Sequence, residues 1–491
     1  MLAGLLALVW LILRSGAKPS RLAYPCQQAA LSAASLAFAA PLISVMVTVR
    51  RGLVQGMRTP AAVAASLVGL LITLGFWGHS SLADDPGIHH LAAPADYRAQ
   101  VFHVTDCPQD PVGDNFVGLD NLLTLMGSQG LKFYQSPSPS MLGGPDGIIA
   151  PDDVVVVKIN YQWPERGGSN TDVLRGLIRT IVDHPDGFTG EVVVAENAQF
   201  NSVQNFDLAN NNAQNTSLSP HDVVVGFQDL GYNVSHYDWT SVRFISVDEY
   251  SDGDLDDGYV VYDYDPQISG RVSYPKFQTD DGTFISLKDG IWNPTGSSYD
   301  RDQLKFINLP VLKSHHATYG VTACVKHYMG VVTKELNTNS HSAIGSGLLG
   351  ELIAEIGLAD LNILDCIWVN ADPYDGPWTG YGDATRLDQL VASTDPVAAD
   401  IWAATEILIP AFLDNGFSPP WPYPEATPDD PSSAFRNYLD NSMDQILGAG
   451  FNVTNDLAQI DAVTWDGTTP LALFVDGFES GGTEAWSVTV P

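Results

Sequence analysis

The chain has 491 residues, with 57 Asp and Glu against 23 Lys and Arg, a formal net charge of −34. That balance excludes a nucleic-acid binder, which needs clustered Lys and Arg to neutralise phosphates. The four cysteines, Cys26, Cys107, Cys324 and Cys366, show no C-x-x-C spacing, which excludes a disulfide scaffold and an iron–sulfur motif.

The charge is unevenly spread. Residues 1–83 contain no Asp or Glu, yet carry Arg14, Lys18, Arg21, Arg50, Arg51 and Arg58. Ala29–Val49 and Ala61–Gly78 are apolar runs of 21 and 18 residues, each long enough to cross a bilayer, and Met1–Leu13 is a shorter third. Residues 1–78 are therefore expected to form a membrane anchor of two or three transmembrane helices. A cleaved signal peptide is the alternative, but no clean A-x-A site separates the runs. The two short loops carry three basic residues each, so the positive-inside rule leaves the orientation tied.

Residues 79–150 read as a loop-rich linker, with Ser136–Ser140 and Gly143–Pro145 as turn signals. Order becomes legible with Val154–Ile159, a β-branched run that predicts a strand. Thr171–Asp183 follows, with Val173, Leu174, Leu177, Ile178, Ile181 and Val182 at helical spacing and Asn170 or Thr171 as cap. Val192–Glu196 is the next strand. Strand, helix, strand at this spacing is a βαβ unit and calls for a parallel sheet. Residues 198–303 resemble an insertion in an α/β domain spanning 151–410. Within it Asp252, Asp254 and Asp256 have the alternate spacing of a calcium loop. The glycine is displaced to Gly258 and the closing glutamate is missing, which favours a solvated acidic loop.

The second legible block begins with a strand through Ile307–Leu312 that ends at Lys313-Ser314-His315-His316. A segment Tyr319–Val332, a helix around Leu348–Ile356 and strands Leu361–Val369 and Leu387–Ala392 follow. Asp395-Pro396 opens a helix with Val397, Ile401, Ala404 and Leu408 on one face. Residues 411–491, with the Pro-rich Pro419–Pro424, read as a C-terminal wrap and tail. The fold class expected is α/β, a mostly parallel sheet with flanking helices in Rossmann-like layers, behind N-terminal transmembrane helices.

Five apolar runs end in polar residues: Lys158 and Asn160, Glu196 and Asn197, Lys313 with His315 and His316, Asp365 and Asn370, and Ser393 with Asp395. In open α/β sheets ligands sit at the carboxyl ends of the strands, where these residues would fall. The chain has only nine lysines. Lys158, Lys313 and Lys326 lie beside apolar sequence, where an unpaired ammonium is costly. They are expected to converge on a small anionic ligand, with three separate structural ion pairs as the alternative.

His315 is the candidate proton carrier, because an ordinary imidazole titrates near working pH, with Lys158 and Lys313 as its catalytic partners. Asn160, Lys326, Glu196, Asn197, Asp365 and Asp395 are candidate ligand-binding residues. Helix amino-termini near Thr171 and Asp395 would add N–H donors. Imidazole and carboxylate from His315, His316, His327, His341 and Asp365 suit a divalent metal, so the cofactor is left open, but no HExxH spacing assigns metal ligands. Asp395 also has a simpler reading as a helix cap. Asp400 is expected to face elsewhere, Ser393 lacks a G-x-S-x-G elbow, and Gly167-Gly168 only loosely resembles a phosphate-approach loop.

The segments VVVVKIN, TDVLRGLI, GEVVVAEN, INLPVLKSH, GVTACVKHYMGV and VASTDPVAAD, in that order, resemble the bacterial and archaeal family numbered 362 among the domains of unknown function, over roughly residues 150–405. The resemblance implies an α/β domain and a site built from the Lys and Asn of its first motif, the Lys and His of a K-x-H motif and the Lys of a K-N-x-x-G motif. Those fall on Lys158 and Asn160, Lys313 and His315, and Lys326. The last motif departs from the pattern, with His327 where Asn is usual. Some relatives append a ferredoxin-like cluster domain, for which this chain has no cysteines. The terminal DGFESGGTEAWSVTVP resembles a tail of secreted bacterial proteins and tips the orientation toward an extracytoplasmic acidic domain. The combined expectation is a membrane-anchored enzyme acting on a small anionic substrate. A tethered anion-binding protein without chemistry and a structural envelope protein are the alternatives.

Overall fold

The computed structural model describes residues 90–107, 115–198, 213–214, 218–315, 319–419 and 426–468. The N-terminal apolar runs, Cys26, His316 and the terminal DGFESGGTEAWSVTVP lie outside them. Among the described residues one helix, Pro396–Asp414, is long and apolar enough to cross a membrane, and most of it is buried inside the fold.

A ten-stranded sheet organises the molecule. Its strands are β1 (Ala99–Val104), β2 (Val154–Lys158), β3 (Glu191–Glu196), β4 (Val234–Asp238), β5 (Leu304–Asn308), β6 (Val311–His315), β7 (Gly320–Thr322), β8 (Leu361–Asn370), β9 (Thr385–Ser393) and β10 (Ile460–Trp465). The order is β10-β1-β9-β8-β5-β2-β3-β4, with β6 beside β8 and β7 beside β6. The run β8-β5-β2-β3-β4 is parallel throughout, and β9 joins it antiparallel.

Strands buried on both faces read as continuous apolar runs, which is why VVVV and VVVA are legible as parallel strands. Alternate residues serve two cores. Val154, Val156, Val193 and Phe306 face one, while Val155, Val157, Val194 and Ile307 face the other. The second core is closed by helices Val117–Ser128, Thr171–Val182 and Pro220–Asp229. The first is closed by Leu348–Ile356, Pro396–Ala403, Ala434–Gly448 and an added antiparallel sheet. Asn170 caps Thr171–Val182, its side chain accepting from Asp172 N and Val173 N.

The expected elements need four adjustments. Pro220–Asp229 and β4 form a second βαβ step on β3, so the insertion begins only after Asp238. The insertion is built around five antiparallel strands between Gly258 and Asp300. The single strand through Ile307–Leu312 is two, interrupted at Leu309-Pro310, and Lys313, Ser314 and His315 lie within β6 rather than past its end. Residues read as linker and as C-terminal wrap supply β1 and β10, which pair with each other. In the acidic loop the carboxylates diverge. Asp252 accepts from Ser297, while Asp254 stands 3.5 Å from Lys276 Nζ.

Candidate functional site

The carboxyl ends of β2 and β3 place two charges side by side. Lys158 Nζ lies 2.6 Å from Glu196 Oε2, and both side chains are buried. Burial lowers the Lys158 amine and raises the Glu196 carboxyl, and each opposes the other's shift by Coulomb attraction. The pair packs against the α-carbon of Gly330. A Cβ there would stand 2.3 Å from Lys158 Nζ and 2.5 Å from Glu196 Oε2. Glycine at the end of the Lys326–Gly330 motif is therefore a space requirement.

Lys326 and His327 lie on a four-residue helix, Cys324–His327, between β7 and a 3-10 turn, Tyr328–Gly330. Asp400 holds this helix by accepting from Cys324 N at 2.6 Å and Val325 N at 3.0 Å. The residue expected to face elsewhere thus caps the element that carries Lys326. Burial pushes its carboxyl up to about 7, against those two N–H bonds.

These parts surround a small open cleft, lined by Lys158, Asn160, Gln162, Trp163, Glu196, His315, Thr322, Lys326, His327, Met329 and Gly330. Six residues singled out from sequence, Lys158, Asn160, Glu196, His315, Lys326 and His327, meet there. Lys326 is 5 % exposed, and its Nζ stands 4.7 Å from the centre of the Tyr319 ring, with no hydrogen bond or ion pair to any described residue. Burial, with the Lys158 charge adding to it, pulls its amine down to about 7. His315 Nδ1 lies 2.7 Å from Thr322 Oγ1, and its ring packs edge-on against Tyr319.

Lys313 stands behind the cleft wall and donates to the Gly167 carbonyl. Burial first, then Lys326, depresses its amine far below the ordinary lysine value. So Gly167 meets a lysine through its carbonyl, while the Gly167 and Gly168 N–H groups donate to Pro164 O and Glu165 O within the loop. His327 Nδ1 donates to Asn308 Oδ1 at 2.6 Å, a tautomer assigned because the Asn308 amide nitrogen is itself donating to Cys324 O and Asn362 Oδ1. Burial and the neighbouring lysines hold that imidazole well below its usual pKa, hence neutral.

Other candidates fall elsewhere. Asn197 donates to Tyr259 Oη and Val332 O, fastening the insertion to the sheet. Asp365 Oδ1 accepts from Ile367 N at an irregularity in β8, outside the cleft lining. Asp395 is the helix cap, accepting from Val397 N, Ala398 N and Thr454 N. Cross-strand register puts Lys158, Asn308, Asn362 and Ser393 in one row, so Ser393 and Asp395 lie three strands from Lys158. Ser393 Oγ donates to Gln100 O. The N–H groups at both helix starts are taken by their own caps, leaving none of those bonds for a ligand. Among the described residues no group of three His, Cys, Asp or Glu is placed to hold a metal.

Sequence reasoning passed over Asn308, Asn362 and Asp400. The asparagines had one signal, an amide inside a β-branched run. Asp400 had none, since its partners lie 75 residues or more away.

Residues 302–405 match the family described as Domain of unknown function (DUF362). The matched DUF362 span carries Lys313, His315, Lys326, Gly330 and Asp400, while Lys158, Asn160 and Glu196 lie before it. No curated protein and no solved structure matches the chain.

Proposed function

We propose that the cleft binds a small anionic substrate and that His315 moves a proton on it, making the protein an enzyme of Lys/His/Asn chemistry. What carries the reading is the charge count at the rim of the parallel sheet. Two lysines and two histidines line the cleft with a single carboxylate, Glu196, and that carboxylate already serves Lys158. Among the described residues Lys326 is left without an acid, and a third amine, Lys313, stands behind the cleft wall. A buried cation without a counter-ion is costly, so an incoming anion gains what the fold leaves unmet. Asn160 and Gln162 supply neutral polar groups for orientation.

The apolar runs in residues 1–78 support, from sequence alone, a membrane anchor, and the resemblance of the terminal DGFESGGTEAWSVTVP to a tail of secreted proteins supports this domain lying outside the cytoplasm. Calorimetric titration of the purified full-length chain with phosphate, sulfate and small carboxylates tests the site. The expected result is one saturable anion per chain, with affinity reduced roughly tenfold or more in Lys326→Ala, the loss of one charged contact. Wild-type affinities in Lys158→Ala, Lys313→Ala and Lys326→Ala together would overturn it. Once mass spectrometry of copurifying compounds supplies a substrate, His315→Ala should abolish turnover and retain binding; unchanged function would leave a capture protein.

A further inference from the structure

Two amines line the cleft and a third stands behind its wall, and among the described residues only one of the three lacks a polar partner. Lys158 is spoken for by Glu196 at 2.6 Å, and Lys313 by the Gly167 carbonyl. Lys326 has neither a carboxylate nor a hydrogen-bond acceptor among the described residues, only the face of Tyr319. It lines the open cleft, as does His315, and both side chains touch the same Tyr319 ring from their separate elements. Tyr319 is itself held, its hydroxyl donating to the His341 carbonyl at 2.6 Å. An amine freed of its counter-ion, desolvated and set beside a second ammonium is the arrangement that makes lysine a nucleophile rather than an ion.

We infer that Lys326 is a nucleophile that forms an imine with the carbonyl carbon of an anionic oxo compound held in the cleft, with His315 as proton donor. This rests on the anion-site reading above and names the substrate class for it: small 2-oxo or 3-oxo acids. The step balances without an oxidant or reductant. The neutral Lys326 amine adds its lone pair to the carbonyl carbon, and the C=O π pair moves to oxygen. The nitrogen proton passes to that oxygen, giving a neutral carbinolamine. His315, as imidazolium, then protonates the hydroxyl. Water leaves as the nitrogen lone pair closes the C=N bond, and an iminium and a neutral imidazole remain. The cation so formed lies beside the substrate's own negative charge, which offsets the proximity of Lys158.

Electrostatics agree with the geometry. An amine titrating near 7 is about half neutral at pH 7, on the order of 10³-fold more than an exposed lysine. The nine lysines of the chain supply internal controls, with Lys288 and Lys334 partly exposed at the surface.

The experiment is reductive trapping on the full-length chain at pH 7, with pyruvate or acetoacetate as probe, sodium cyanoborohydride as reductant, and peptide mapping by mass spectrometry. The expected result is a reduced adduct concentrated on the peptide carrying Lys326. It should exceed labelling at Lys288 and Lys334 by roughly tenfold or more, a conservative part of the free-amine advantage. Lys326→Arg keeps a cation in the cleft but cannot form an imine, and there the adduct on that peptide should vanish while the background labelling of Lys288 and Lys334 persists. Phosphate binding in the wild type without preferential labelling of Lys326 overturns this inference and leaves the anion site standing. Failure of both overturns the two together.

Discussion

Gly330→Ala places one methyl group against the buried ion pair. The new carbon would lie 2.3 Å from Lys158 Nζ and 2.5 and 2.7 Å from the two Glu196 oxygens, where ordinary contact begins near 3.4 Å. Each group must then retreat by about 1 Å, which strains their 2.6 Å pairing in a site where Lys158 is 1 % exposed and Glu196 3 %. Overpacking of this kind costs about 1–3 kcal/mol. Prising a buried pair apart adds a part of the roughly 3–5 kcal/mol lost when one partner is removed. Proton transfer from the ammonium to the carboxylate limits that second contribution, so a total of about 2–4 kcal/mol is expected. Urea unfolding of the full-length chain, followed by tryptophan fluorescence, measures it as a lowered midpoint at unchanged slope. Repeating the substitution in a Lys158→Ala background isolates the cause, because there Glu196 can move away from the methyl group into the space the lysine leaves. A loss below about 0.5 kcal/mol, or an equal loss in both backgrounds, would refute the steric argument.

Two further outcomes follow from the same geometry. Asp400→Asn should destabilise the fold by about 1–2 kcal/mol through loss of a charged cap, and should weaken phosphate binding because the Cys324–His327 helix carries Lys326; calorimetry and urea unfolding read the two effects separately. Lys326→Met should be stabilising without ligand, and in a pH-dependent way. The folded-state pKa of Lys326 lies near 7, below its unfolded value, so the unfolded chain binds more protons between about pH 7 and 10. Wild-type stability from this group is therefore lost as pH falls toward 7, with a slope of at most about 1.4 kcal/mol per pH unit. The advantage of Lys326→Met should be greatest at and below pH 7 and fade by pH 10; an advantage independent of pH would show that Lys326 remains charged in the fold.

Much of the sheet was readable because its central strands are buried on both faces. The valine runs at Val154–Val157 and Val192–Val194 have no polar side to hide, and the caps Asn170 and Asp395 are short polar residues standing next to apolar helices. Edge elements were less legible. Ala99–Val104 and Ile460–Trp465 mix polar and apolar residues, and they become strands through each other and through β9. The break at Leu309-Pro310 passed unseen because both halves are equally apolar. The site candidates sort by the same logic. Residues that end parallel strands, such as Lys158 and Glu196, reach the cleft. Asp395, at the end of an antiparallel strand, looks identical in sequence but lies in another part of the sheet.

From the linear chain alone come the alternation of strands and helices, the capping residues and the scarcity of lysine that draws attention to three of them. Those are properties of neighbours within a few residues, where backbone preference and hydrophobic period decide. The tertiary structure alone decided which amine keeps a counter-ion. Glu196 stands on the strand beside Lys158, Gly167 turns its carbonyl to Lys313, and Lys326, on the helix that Asp400 holds, stands over an aromatic ring with no acid among the described residues paired to it. Buried charges interact over a few ångströms in a poorly screening medium, so their pairing depends on distances across strands that order along the chain does not encode.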